Sequence, residues 1–229
     1  MGRSSARRGL LLFPLWGYRP EFFLGGSIGS SFYPDQRSAT ANWLNNTYTA
    51  TTPLSPGDFI TTFARQDWAD FAAKLYGGTW ITPNVGIEAG FASLGRIGWS
   101  TFSTNTTGSF AVTNSGRVAP HAWYESLLVG LDSFGIRYFL KGGAYEASTD
   151  LESSGFNLNT GAVNGASETV HNSGGLVGLG IYTAYYHTAL RIEVEDFINV
   201  GQSSVPLTSQ IPPWRGSILV ISAGAAYRF

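Results

Sequence analysis

The stretch Ala189-Leu190-Arg191-Ile192-Glu193-Val194-Glu195 alternates apolar and charged residues with a period of two. Successive side chains of an extended chain point to opposite faces, so Leu190, Ile192 and Val194 share one side and Arg191, Glu193 and Glu195 the other. In a half-buried soluble sheet the charged side would face water; in a closed barrel it would line the interior, where opposite charges pair. The alternation alone fits both. The rest of the chain tips the choice, because no amphipathic helix of convincing length is evident to cover an apolar sheet face. Closing the sheet pairs every backbone group and removes the edges, as a hydrocarbon solvent demands.

Working outward from that strand, similar segments recur, separated by alternately short and long turn-like stretches. Phe22, Leu24, Ile28 and Phe32 share one register of a first strand over Glu21–Tyr33, with the apolar side outward. Pro34 to Arg65 is polar and reads as an external loop. A strand from Asp67 to Ile81, a tight turn at Thr82-Pro83-Asn84 and a partner over Val85–Leu94 follow. Thr101 to Arg117 reads as a second polar loop, and Ala119–Leu131 and Ile136–Ala147 as the next pair, joined by Asp132-Ser133-Phe134-Gly135. Ser148 to Ser173 reads as a third loop. Strands near Gly174–Tyr182 and His187–Asn199 come next, linked by Thr183-Ala184-Tyr185-Tyr186. A last loop holds Pro206, Pro212 and Pro213, and the final strand covers about Ser217 to Phe229. The expected fold is therefore all-β: an eight-stranded antiparallel up-and-down transmembrane barrel over residues 21–229.

Composition agrees. The 229 residues fit one domain, only 13% are charged, and 29 glycines and 14% aromatics are high for a soluble domain. A net charge of −1 supplies no basic field for nucleic acid, and the absence of cysteine removes disulfides and thiol chemistry. Aromatics at or near strand ends, Trp80, Phe91, Trp99, Trp123, Phe134, Tyr138, Tyr185, Tyr186, Tyr227 and Phe229, would form interfacial girdles. At the N-terminus, Arg3, Arg7 and Arg8 precede an apolar run from Gly9 to Gly17 without a small-residue cleavage site. Residues 1–20 thus read as an altered or truncated export segment or a disordered tail.

The hairpin from Lys74 to Gly95, with Gly77-Gly78, the turn proline Pro83 and the run Gly86-Ile87-Glu88-Ala89-Gly90, resembles the second and third strands of the OmpA-type eight-stranded barrel family. Phe139-Leu140-Lys141-Gly142-Gly143-Ala144-Tyr145 is similar to that family's fifth strand, and the Ala189–Glu195 stretch to its seventh. The ending Gly224-Ala225-Ala226-Tyr227-Arg228-Phe229 looks like the signal such barrels present to their assembly machinery, carried by Gly224, Tyr227 and Phe229. The resemblance implies a bacterial outer-membrane location and a lumenal salt bridge or gate, which falls here on Glu88, Lys141, Arg191 and Glu193. It also implies a structural or surface-interaction role, or a narrow gated pore plugged by that salt bridge. The implied partners are outer-membrane lipid and lipopolysaccharide, the barrel-assembly machinery, and host or cell-surface receptors met through the long loops. The chain ends at the barrel strand, so no cell-wall anchoring through a periplasmic domain is expected.

Other chemistry has thin support. His121, His171 and His187 are far apart and show no metal spacing, so no metal or cofactor is expected. His171-Asn172-Ser173 resembles the His-x-Ser pair of outer-membrane lipid A deacylases, but no third group stands at matching spacing. Gly77-Gly78-Thr79-Trp80 is similar to the Gly-x-Trp opening of lipocalin-like and avidin-like soluble ligand-binding barrels, yet a whole strand and loop precede it here. The expectation is a protein without enzymatic activity.

Overall fold

A computed structural model describes residues 19–202, 212 and 214–229. It contains ten strands and one helix: β1 (Glu21–Phe32), α1 (Arg37–Thr51), β2 (Ile60–Gln66), β3 (Ala69–Trp80), β4 (Val85–Ser93), β5 (Ile97–Asn105), β6 (Ala111–Ser133), β7 (Ile136–Asn157), β8 (Val163–Tyr185), β9 (Thr188–Gln202) and β10 (Trp214–Arg228). Eight of the strands close a ring in the order β1-β3-β4-β6-β7-β8-β9-β10, with β10 returning to β1, and every pair is antiparallel. The ring has a definite stagger. Following paired residues from Ala69 through Phe32, Leu219, Asp196, Val177, Gly142, Leu127 and Ile87 leads back to β3 at Thr79, ten residues further along the strand. That stagger on eight strands corresponds to a tilt of about 40° and an interior just wide enough for side chains.

The outer wall is apolar where a bilayer would meet it. Phe22, Leu24, Ile28, Leu75, Ile87, Leu127, Leu140, Leu179, Leu190, Ile192 and Ile221 are all exposed. A soluble barrel would cover or replace such a wall, so the lipocalin-like alternative is set aside. Among the described residues no helix is long and apolar enough to cross a membrane. Tight turns at Thr82–Asn84, Phe134–Gly135 and Tyr186–His187 mark one end; Phe134, Gly135 and Tyr186 take positive φ there, as such reversals require. Trp123, Phe134, Tyr138, Tyr185, Tyr186, Tyr227 and Phe229 are exposed as a girdle requires. Trp80 is not: it is 2% exposed and fills the lumen.

At the other end the expected loops are ordered. Thr101–Arg117 belongs to the hairpin of β5 and β6, and Ser148–Ser173 to the long hairpin of β7 and β8. Together with β2 these strands continue the wall beyond the membrane as a five-stranded sheet in the order β2-β5-β6-β7-β8. The Pro34–Arg65 stretch carries α1 and most of β2 instead of irregular chain. Helix α1 packs against β2, burying Thr40 and Leu44. The loop around Pro206, the residue Pro213 and the expected export segment to residue 18 lie outside the described residues.

Candidate functional site

The lumenal face of the ring collects every second residue of each strand, and at mid-height six of these are charged. Lys74 on β3, Glu88 on β4, Lys141 on β7 and Arg191, Glu193 and Glu195 on β9 are all buried. Three cations meet three carboxylates in a closed alternating ring. Arg191 Nη1 donates to Glu88 Oε2, and Lys141 Nζ donates to Glu88 Oε1 at 2.6 Å and to Glu195 Oε1 at 2.5 Å. Lys74 Nζ then donates to Glu195 Oε2 and Glu193 Oε2, and Arg191 Nη2 closes the circuit on Glu193 Oε1. Each carboxylate thus has two cationic partners, the condition under which buried charge is tolerated.

Aromatic rings hold the circuit in place. The Arg191 guanidinium lies 4.7 Å from the Tyr76 ring and 4.6 Å from the Phe139 ring, while Lys141 Nζ sits 4.1 Å from the Tyr124 ring. The Tyr124 hydroxyl donates to Glu88 Oε1 at 3.0 Å. Glycine makes room for these large groups: a Cβ on Gly90 would come within 2.6 Å of the Tyr124 hydroxyl, and one on Gly178 within 3.0 Å of Glu195 Cγ.

Packing continues on both sides. Toward the tight turns, Arg137 stacks on Trp80 at 4.3 Å and Tyr182 donates to Glu21 Oε1 at 3.1 Å, beside the Arg228–Glu21 ion pair. Toward the long hairpins, Phe197 touches Tyr145 and Tyr124, followed by buried Leu94, Ile97, Val118, Leu151, Trp214 and Ile218. The cavity that borders the ring on this side, against Lys74 and Glu195, measures about 10 Å³. That is room for about one water molecule.

The four lumenal residues singled out from sequence, Glu88, Lys141, Arg191 and Glu193, therefore meet in one cluster. Lys74 and Glu195 complete it: the alternation places Glu195 on the interior face beside Arg191 and Glu193 without assigning it to the salt bridge, and Lys74 is not singled out from sequence. A signal existed for Lys74: it pairs with Ala92, which shares the register of Glu88 on β4, so both side chains point the same way. Of the end-of-chain residues, Gly224 lies on the inward register of β10, while Tyr227 and Phe229 stand exposed with ring centroids 5.1 Å apart. His171 and Ser173 are both exposed on β8, and among the described residues no hydrogen bond or ion pair orients either. The described residues contain no group of three His, Asp or Glu that could hold a metal ion.

Residues 19–229 match the family model described as an OmpA-like transmembrane domain. No curated protein sequence matches the chain. Similar solved structures include the attachment invasion locus protein Ail of Yersinia pestis, at 11% identity and a TM-score of 0.43 over 92% of this chain and 98% of that one. Neisserial surface protein A is similar at 10% identity and a TM-score of 0.42, over 93% and 100% of the two chains. The outer membrane protein OprG of Pseudomonas aeruginosa is similar at 11% identity and a TM-score of 0.43, over 91% and 95%.

Proposed function

Because this chain belongs to the OmpA-like transmembrane domain family and lies in the bacterial outer membrane, we propose that it is a non-catalytic barrel with a sealed lumen whose work is structural and done at the cell surface. The observation that carries the reading is the closed ring of three cations and three carboxylates, backed by apolar packing on its outer side. An eight-stranded barrel has no spare width, so a filled cross-section leaves solutes no path. The ordered sheet beyond the membrane is then the part free to meet lipopolysaccharide or a receptor. Tyr227 and Phe229, at the base of the last strand, and Gly224 within it serve as the signal to the assembly machinery. The test is electrical: the protein refolded in detergent and added to a planar bilayer is expected to give no steady conductance. A steady ion current through the wild type would overturn the sealed lumen.

One contact favours a gated variant of this reading. Lys141 Nζ lies 4.0 Å from Glu193 Oε1 in addition to its two closer partners, so the ring has an alternative pairing available. If exchange of partners opens a path, Glu88→Gln will raise the frequency of brief current steps; unchanged silence in that variant leaves the lumen a plug.

A further inference from the structure

Beyond the membrane, α1 faces the inner side of the five-stranded sheet across a cleft of 350 Å³, within the range of small-molecule sites. Its chemistry is mixed in a particular way. One wall is helical, with Trp43, Thr47 and Thr51 four residues apart and Tyr48 beside them, and the Tyr48 ring packs edge-on against Phe110 at 5.1 Å. The other wall is a row across three strands, in which Asn114 on β6 pairs with Gly155 on β7 and Gly155 with Asn164 on β8. Two amide side chains therefore flank a residue that has none.

The glycine matters to the space. A Cβ at Gly155 would come within 2.6 Å of Asn114 Oδ1, so any other residue would cover that acceptor. Asn114 is held from its other end, where Nδ2 donates to the Tyr48 hydroxyl at 2.8 Å and to Thr101 Oγ1 at 3.3 Å. Asn157, one row further out, accepts the loop amides of Asn159 and Thr160 on its Oδ1 and keeps its Nδ2 donors. Trp43 Nε1 is buried without a hydrogen-bond partner among the described residues. Among the described residues no Asp, Glu, Lys or Arg lines the cleft.

Aromatic surface with amide and hydroxyl groups and no charge is the complement of a pyranose, whose C–H face packs on rings while its hydroxyls exchange hydrogen bonds with amides. A charged ligand would be desolvated there without a counter-charge. We propose that the cleft between α1 and the sheet binds an uncharged saccharide unit. The proposal rests on the surface role argued above and gives it a ligand class.

The test uses the whole protein refolded in detergent micelles, with saturation-transfer NMR against methyl glycosides of neutral hexoses and N-acetylhexosamines. At least one glycoside is expected to receive transfer and to bind saturably, with a dissociation constant of about 1 mM. Gly155→Val, which covers Asn114 Oδ1, and Trp43→Ala are each expected to weaken it at least about tenfold. Asn164→Ala is the second check, because it alters the same row without adding bulk, and retained heat-modifiable gel mobility shows that each variant is folded. Competition by smooth but not rough lipopolysaccharide assigns the sugar to the cell's own envelope, and competition by neither assigns it to a foreign surface. Transfer to none of the glycosides, or equal transfer in all three folded variants, overturns the proposal. Adhesion to whole cells, assayed alongside, separates the two readings: adhesion that persists without sugar binding leaves the surface role standing and removes this site from it.

Discussion

Glu88 and Glu125 sit on adjacent strands of one wall, Glu88 opposite Ser126 and Glu125 opposite Ala89, yet they face opposite sides of it. Glu88 points into the lumen, is 3% exposed, and meets Arg191, Lys141 and the Tyr124 hydroxyl. Glu125 points outward between Trp123 and Leu127, flanked across strands by Ala89 and Ala144, with no ion pair or hydrogen bond among the described residues. The small neighbours leave it in a 780 Å³ groove on the lipid side, together with Ile87, Phe22 and Phe229. Depth in the membrane is therefore not what decides whether a carboxylate is tolerated cheaply. The number of donors around it decides, and the narrow lumen supplies them where lipid cannot.

The largest effect should come from breaking the lumenal side. Lys141→Met removes the cation shared by Glu88 and Glu195 and leaves three buried carboxylates facing two cations. Loss of one partner from a buried pair costs about 3–5 kcal/mol, and here two pairs lose the same partner. A urea titration in lipid vesicles, read by heat-modifiable gel mobility, should show the variant unfolding well below the wild type. An unchanged midpoint would mean that water reaches the ring and screens it.

How far these two regions could be read from sequence follows from the contrast between their faces. Between Leu190 and Glu195 one side meets lipid and the other meets ions, so the period of two is plain. In the upper parts of β6, β7 and β8 both faces carry polar residues and glycine, as in Asn114-Ser115-Gly116 and Ser153-Ser154-Gly155, and the same period leaves no trace. Those stretches read as loops although their pairing is continuous with the barrel. Helix α1 is hidden for another reason: Thr, Asn and Ser dominate it, residues that compete with the helix backbone, and only Leu44 and Thr40 are buried. Tertiary contact holds it. The lumenal cluster was partly legible because three of its members fall on one strand, while Lys74 stands among Ala72, Tyr76 and Gly78 with no charge beside it.

The outward side can be sharpened by relieving it. Glu125→Leu replaces an unpartnered carboxylate by a residue that fills the groove between Ala89 and Ala144. The penalty for a lipid-facing acid is smaller than that for a lysine or arginine, so the expected gain is about 1 kcal/mol in the same titration. Destabilisation instead would show that Glu125 has a partner supplied by the membrane, and would narrow the difference between the two walls.

A third carboxylate completes the comparison, paired like Glu88 but placed in water. Asp35 precedes α1 and accepts from Arg37 Nε at 2.9 Å, Arg37 Nη2 at 2.6 Å and the Arg37 backbone N–H at 3.0 Å. The last bond serves a helix start whose N-cap residue, Gln36, makes no side-chain cap. These hydrogen bonds hold the Asp35 carboxyl down from its ordinary 3.8 to about 2. A folded-state pKa below the unfolded one gives stabilisation that is present above the ordinary value and is lost as pH falls through the lower one. Acidification from pH 5 to about pH 2 is therefore expected to lower the amide protection factors in the first turn of α1, each rate being referred to the intrinsic rate at its own pH, while the barrel's gel mobility stays put. Solvent screens the pair, since both side chains are more than half exposed, so Asp35→Asn should change that protection slightly and the global midpoint not at all. A shift of the global midpoint in Asp35→Asn would make the Asp35–Arg37 pair a support of the barrel itself, and partner number alone would then outweigh environment.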